Sequence, residues 1–148
     1  MTESVDEQLV AALCRDGRAD VRDIAAATDT VPTTVQKRLE ALERNGTIGG
    51  YTANVRYDRL GYEAVVFRLA VGLEAIDDVT ERLRRRRPFV TVYQMSDAET
   101  VFAIAKFETE ADLAACVQEL HDDDDVRRIE TDRIRSIHCE NRSPLVDR

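Results

Sequence analysis

Along the first third of the chain, apolar residues recur at helical spacing in three short blocks. Ser4 with Glu7 three residues later has the form of a capping box, after which Leu9, Ala12 and Leu13 mark one face of a helix running to about Arg15. Asp16 and Gly17 stop it. Asp20 and Asp23 open a second short helix through Ile24 and Ala27, their charges suiting the positive end of the helix dipole. Residues 28–31 connect this helix to a third, which begins around Pro32 because proline is tolerated where backbone N–H groups lack intrahelical partners. Val35, Leu39 and Leu42 form its buried stripe, and Asn45-Gly46 ends it. Ile48, the pair Gly49-Gly50, and alternating Tyr51, Ala53 and Val55 then read as a small β-ribbon.

From Gly61 the period changes. Val65, Phe67, Leu69 and Val71 alternate as one face of a strand, and Ile76, Val79 and Leu83 mark a helix ending in four arginines (84–87) and stopped by Pro88. Residues 89–95 and 100–107 are two β-rich runs around the polar turn 96–99. Thr109 with Asp112 caps another helix, whose stripe is Leu113, Cys116, Val117 and Leu120, and a last strand is expected over roughly 126–139. The order βαββαβ is the ferredoxin-like arrangement. The expected class is α+β: an N-terminal winged helix-turn-helix (1–50), a wing or linker strand (51–62), and a ferredoxin-like αβ-sandwich for oligomerisation and effector binding (63–148).

Two helices joined by a four-residue connection, with a ribbon behind, are the parts of a winged helix-turn-helix, which lays its second helix in a DNA major groove. With Val35, Leu39 and Leu42 facing inward, Thr33, Gln36, Lys37 and Glu40 face outward. Gln and Lys reach base edges, while Thr hydroxyls and Arg38 or Arg44 suit phosphates. Any helical trio can also pack as a plain domain with Lys37 on a solvated face.

Charge complicates this picture. The 148 residues carry 29 acidic and 21 basic side chains, a net charge of −8, which taken globally argues against a general nucleic-acid or anionic-membrane binder. The deficit is uneven: residues 1–60 carry 8 basic and 10 acidic side chains, against 13 and 19 for residues 61–148. Only Lys37 and Lys106 are lysines, so 19 of the basic residues are arginine. This acidic, lysine-poor composition resembles that of cytoplasmic proteins of salt-loving microbes, and points to a halophilic archaeon. DNA binding adapted to high salt would lean less than usual on counterion release and vary shallowly with salt. A hydrophobic share of 43% supports a true core. No run approaches the length of about 18 apolar residues that spans a bilayer, and residues 1–6 have no basic region leading into an apolar one. A cytoplasmic location is expected.

The segment Asp16-Gly17-Arg18, then DIAAATDTVPTTVQKRLEALERNGTIGGY (residues 23–51), then Leu60-Gly61 and the βαββαβ body, resembles the Lrp/AsnC (leucine-responsive/asparagine-synthase regulator) transcription factors over nearly the whole chain. The resemblance implies a sequence-specific regulator of transcription, dimeric and often octameric, whose C-terminal domain assembles subunits and can bind an amino acid or similar effector. Thr33, Thr34, Gln36, Lys37 and Arg38 fall where the family's recognition helix meets DNA, and Arg18 on its recurrent arginine before the second helix. The expected partners are double-stranded DNA carrying a pseudo-palindromic operator and further copies of the chain. The alternative is an effector-binding or assembly module of the same fold whose head no longer reads DNA.

Two departures stand out. Where the family has Gly-Leu-Ser ahead of the recognition helix, this chain has Asp29, Thr30 and Val31; because Val cannot cap, Thr30 or Asp29 is expected to take that role. Where it has a Gly-x-x-Asp turn, this chain has Ser96, Asp97, Ala98 and Glu99. Ser96, Asp97, Glu99 and Thr100 are the effector-site candidates, with Asp97 or Glu99 available for an ammonium group, and a solvated hairpin turn is the equal alternative.

Other features carry less. The arginines 84–87 are explained by the macrodipole of a helix that opens with Asp77, Asp78 and Glu81. The acidic loop 122–125 lacks the spacing, Gly and distal Glu of an EF-hand. His138 and Cys139, adjacent on the expected strand, would point to opposite faces, and Cys116 reads as a small hydrophobe. Cys14, Cys116 and Cys139 suggest neither a disulfide framework nor a zinc knuckle. No metal or cofactor is expected, and with no phosphate loop, nucleophile elbow or HExxH motif, no catalytic residue is assigned.

Overall fold

A computed structural model describes residues 4–147; of residues 1–6, on which the expectation about a leader rests, the first three lie outside the described residues. The chain divides into two compact units, a head formed by the residues up to Val55 together with those from His138 onward, and a body, Arg56–Ile137.

In the head, α1 (Val5–Arg15), α2 (Val21–Ala27) and α3 (Pro32–Arg44) follow the expected spacing. The Glu7 N–H donates to Ser4 Oγ at 3.2 Å, and Asp20 and Asp23 form a reciprocal capping box, so orphan N–H groups at both helix starts are satisfied locally. Leu9, Ala12, Ile24, Ala25, Val35 and Leu39 are buried together as the core of this unit. The C-terminus of α3 closes as expected: Gly46 takes φ +82°, its N–H donates to the Glu43 carbonyl, and the Ile48 N–H to that of Leu42.

In the body a 3₁₀ turn (Tyr57–Leu60) precedes β1 (Glu63–Val71), α4 (Ile76–Arg85), β2 (Phe89–Gln94), β3 (Thr100–Phe107), α5 (Glu110–His121) and β4 (Val126–Arg133). The antiparallel sheet has the order β2-β3-β1-β4, that of the expected split βαβ fold. One face carries Val65, Phe67, Leu69, Val101, Ala103 and Ala105, all fully buried beneath Val79 and Leu83 of α4 and Cys116 and Leu120 of α5. Desolvation there pushes the Cys116 thiol pKa up, in keeping with a small hydrophobe. The other face bears half-buried Val66, Phe102 and Ile104, with exposed Tyr93 stacked on Phe102 at 6.4 Å.

Two sequence expectations are corrected. Residues 47–55, read as a ribbon and as the start of a wing or linker strand, form no strand. A strand exists through its pairing, and alternation alone supplies no partner; here Asn45 Oδ1 takes the Thr47 N–H and the Tyr51 hydroxyl donates to Glu43. The last strand stops at Arg133 instead of about residue 139. Arg133 pairs with Val65, and Ile134 donates to Ala64 at 2.9 Å, near the beginning of β1, so the template ends. His138 and Cys139 therefore lie beyond the strand, and the opposite-faces argument does not apply to them.

Candidate nucleic-acid interface

Helix α3 sets the geometry of the head's polar surface. With about 3.6 residues per turn, the stripe Val35, Leu39 and Leu42 turns inward and Thr33, Lys37, Glu40 and Arg44 fall on the opposite side, all exposed. Thr34 and Gln36 flank that outer stripe. Arg18 lies in the turn between α1 and α2, where Asp16 Oδ1 takes its backbone N–H at 2.9 Å and its side chain is exposed.

The side chains on this surface differ in what they already hold. Among the described residues, Lys37, Arg44 and Arg18 have no ion-pair partner, so their charges face solvent. Gln36 donates its amide to Glu40 at 2.7 Å, one turn along the helix, which keeps its carbonyl oxygen available. Glu43 accepts from the Tyr51 hydroxyl at 2.9 Å, and desolvation, reinforced by that carboxylate, raises the tyrosine's pKa.

Arg38 behaves differently from its neighbour. It sits beside the buried stripe, on the flank of α3, and its Nε and Nη2 donate to the two carboxylate oxygens of Asp6 in the first turn of α1 at 2.7 and 2.5 Å. Those hydrogen bonds hold the Asp6 carboxyl below its ordinary pKa. Sequence offered Arg38 as a residue suited to phosphates; spacing could not report a partner 32 residues away.

The N-terminus of α3 departs from expectation. Neither Thr30 nor Asp29 caps it: Val31 occupies the N-cap position without a side-chain hydrogen bond. The Thr30 hydroxyl instead donates to the Thr28 carbonyl at 3.0 Å, while Asp29 adopts φ +50°. A local bond within the connecting turn has won the competition for the Thr30 hydroxyl.

In the body, the four effector-site candidates lie together at the β2–β3 hairpin. Asp97 Oδ1 accepts the backbone N–H groups of Glu99 and Thr100 at 3.0 and 2.9 Å, and Oδ2 accepts the Thr100 hydroxyl at 2.6 Å. These contacts, the hydroxyl first, lower the Asp97 pKa. The contribution of this carboxylate to the turn is therefore present above the ordinary aspartate range and lost as pH falls through its lower folded-state value. Ser96 and Glu99 remain exposed. The residue needing glycine-like freedom is Ala98, at φ +63°, rather than Ser96. Ala98→Gly is expected to stabilise the body by about 1 kcal/mol through relief of left-handed strain, measured as a rise in the urea midpoint with unchanged slope.

A concavity of about 440 Å³ opens between α4 and β2 against Asp77, Thr80, Glu81, Arg84, Val90 and Val92. Its polar groups largely hold one another. Gln94 donates to Asp77 and Thr80, and Arg84 with Arg85 grips Glu81, whose carboxyl is lowered to about 2. Within the arginine run Arg86 pairs with Glu119, and ahead of it Arg82 pairs with Asp123 and Asp125 of the acidic loop. No three His, Cys, Asp or Glu side chains among the described residues converge as a metal site, and no helix there is long and apolar enough to cross a membrane.

Residues 4–43, which contain all three head helices up to the last turn of α3, match the AsnC-type helix-turn-helix domain profile. An uncharacterized HTH-type transcriptional regulator of Pyrococcus furiosus is 26% identical over 133 residues, covering 87% of this chain and 88% of its own. The HTH-type transcriptional regulator LrpA of Pyrococcus abyssi is 29% identical over 115 residues, covering 77% and 82%. Among solved structures, the complex of transcriptional regulator NMB0573 from Neisseria meningitidis with L-Met superposes with a TM-score of 0.83 at 15% identity, covering 98% of this chain and 97% of that one.

Proposed function

We propose that this chain, an HTH-type transcriptional regulator of the Lrp/AsnC kind, reads a pseudo-palindromic operator as a dimer, with Lys37 as its principal DNA contact. The observation that carries this reading is the outer stripe of α3, where Thr33 and Lys37 project from a rigid helix and Lys37 has no ion-pair partner among the described residues. Thr34, Gln36 and Arg18 complete the contact set: hydroxyls and Arg18 on phosphates, Lys37 and the Gln36 carbonyl at base edges. The boundaries of the DNA-reading and assembly domains follow the head and body, and the protein works in the cytoplasm without a catalytic role.

Dimerisation through the sheet is supported by its uncovered face. Val66 pairs in register with Ile104, Phe102 with Tyr93, and the four make a contiguous apolar patch on the side away from α4 and α5. Burial of such a patch against its own copy is the usual route to a two-fold dimer. Assembly to an octamer, and an amino-acid effector at Ser96, Asp97, Glu99 and Thr100, belong to the same reading. The L-Met in the Neisseria regulator supports that chemical class, and Glu99 is the carboxylate free to meet an ammonium group, since Asp97 is committed to the turn. Salt adaptation accounts for the acidic, arginine-rich surface.

The test is selection from a random duplex pool by the full chain at high salt, with sedimentation of the same sample. Enrichment of a motif with half-sites about one helical turn or a multiple apart, bound by dimers or larger assemblies, is the expected result. Absence of any enriched motif favours an assembly module that does not read DNA.

A further inference from the structure

We propose that Asp6 and Arg38 are positioning residues for DNA reading: their ion pair fixes the rotation of α3 against α1, and Arg38 is not itself a phosphate contact. This inference rests on the DNA-reading role proposed above for α3.

The apolar contact between the two helices, Leu9 and Ala12 against Val35 and Leu39, resists separation but is non-directional. A stripe of this kind permits some rolling of one helix over the other. Arg38 and Asp6 add direction. A planar guanidinium facing both oxygens of one carboxylate has a narrow range of good geometries, so the pair specifies orientation as well as proximity. It acts at a helix that needs the constraint, since the N-terminus of α3 has only Val31 at its cap and no side chain to tie it down. Rolling α3 would swing Lys37, the preceding residue, away from the groove while leaving the head folded.

A phosphate role for Arg38 requires the opposite chemistry. Phosphate would have to displace Asp6, and the carboxylate left behind would then repel the DNA. Removing that carboxylate would strengthen binding under a phosphate-contact role and weaken it under a positioning role, so the two predict opposite signs for a single substitution.

The experiment uses the full chain and a duplex enriched by the wild-type protein. Asp6→Asn, which keeps shape and hydrogen-bonding capacity at a half-exposed site, is expected to weaken binding roughly three-fold, in the range of a solvent-accessible ion pair. The log–log slope of affinity against salt stays unchanged. Arg38→Lys weakens binding similarly, because a point charge cannot reproduce the fork, and Asp6→Asn with Arg38→Gln is no weaker than either alone. Tighter binding by Asp6→Asn, or a slope reduced by about one ion per half-site in Arg38→Gln, overturns the proposal. A reading without DNA keeps folding effects apart: the Arg38 Nε–H resonance of the free chain should exchange slowly and lose that protection in Asp6→Asn, and fast exchange in the wild type contradicts the pair. If no duplex is enriched at all, the DNA reading fails and takes this inference with it, whereas tighter Asp6→Asn binding to an enriched duplex defeats this inference alone.

Discussion

Phe67→Ala is expected to destabilise the body by about 3–5 kcal/mol, the range for deleting a buried aromatic ring whose cavity cannot fully collapse. Phe67 is fully buried in the middle of β1, a central strand, with the rings of Phe89 and Phe107 at 5.3 and 6.2 Å. Phe89 begins β2 and Phe107 ends β3, so one ring joins three strands. Total domain stabilities are of order 5–15 kcal/mol, which makes this loss a third of the total or more. Calorimetry of the full chain should show the body's transition falling by many degrees. A shift of only a degree or two would mean that the ring is not the keystone of the sheet.

Lys37→Ala should have the largest effect on DNA binding. One lysine contact to a base edge or phosphate is worth roughly ten-fold in affinity, and in a dimer each substitution enters twice, giving about a hundred-fold loss. Lys37 is exposed, so thermal stability and dimer sedimentation should stay unchanged. The salt slope should fall by about one ion per half-site if the ammonium meets phosphate, and specificity should relax at one base position if it meets a base edge. Unchanged mobility of the selected duplex would remove Lys37 from the interface.

The residues that made the fold legible were those whose partners lie close in sequence. Ser4, Asp20 with Asp23, Thr109 and Asn45-Gly46 act within three or four positions, and each helix end they mark falls where expected. The alternation in β1 and β3 was legible because one face of the sheet is dry. Expectations failed where a second partner decides the outcome. Residues 47–55 alternate like a strand but have nothing to pair with, and β4 ends because β1 has run out. Thr30 had the chemistry of a cap, yet the Thr28 carbonyl claimed its hydroxyl.

The candidate DNA surface was half legible for the same reason. Helical periodicity suffices to put Lys37 and Thr33 opposite the core. The capture of Arg38 by Asp6 is a contact between helices, and Gln36, though only four residues from Glu40, can choose among several rotamers that sequence does not rank. At the hairpin, sequence left Asp97 and Glu99 as equal candidates, and neither the capture of Asp97 by the turn nor the positive φ of Ala98 has a sequence signal. The net charge of −8, which argued against nucleic acid when averaged over the chain, lost that force once Lys37, Arg18 and Arg44 were found unpaired among the described residues.

Mapping bound DNA across the genome in the cell of origin, for the wild type and for Lys37→Ala at equal abundance, tests sequence-specific regulation most directly. Discrete sites near the starts of transcription units, carrying the motif selected in vitro and lost in Lys37→Ala, are the predicted result. Occupancy without discrete sites, or sites that persist undiminished in Lys37→Ala, would contradict it.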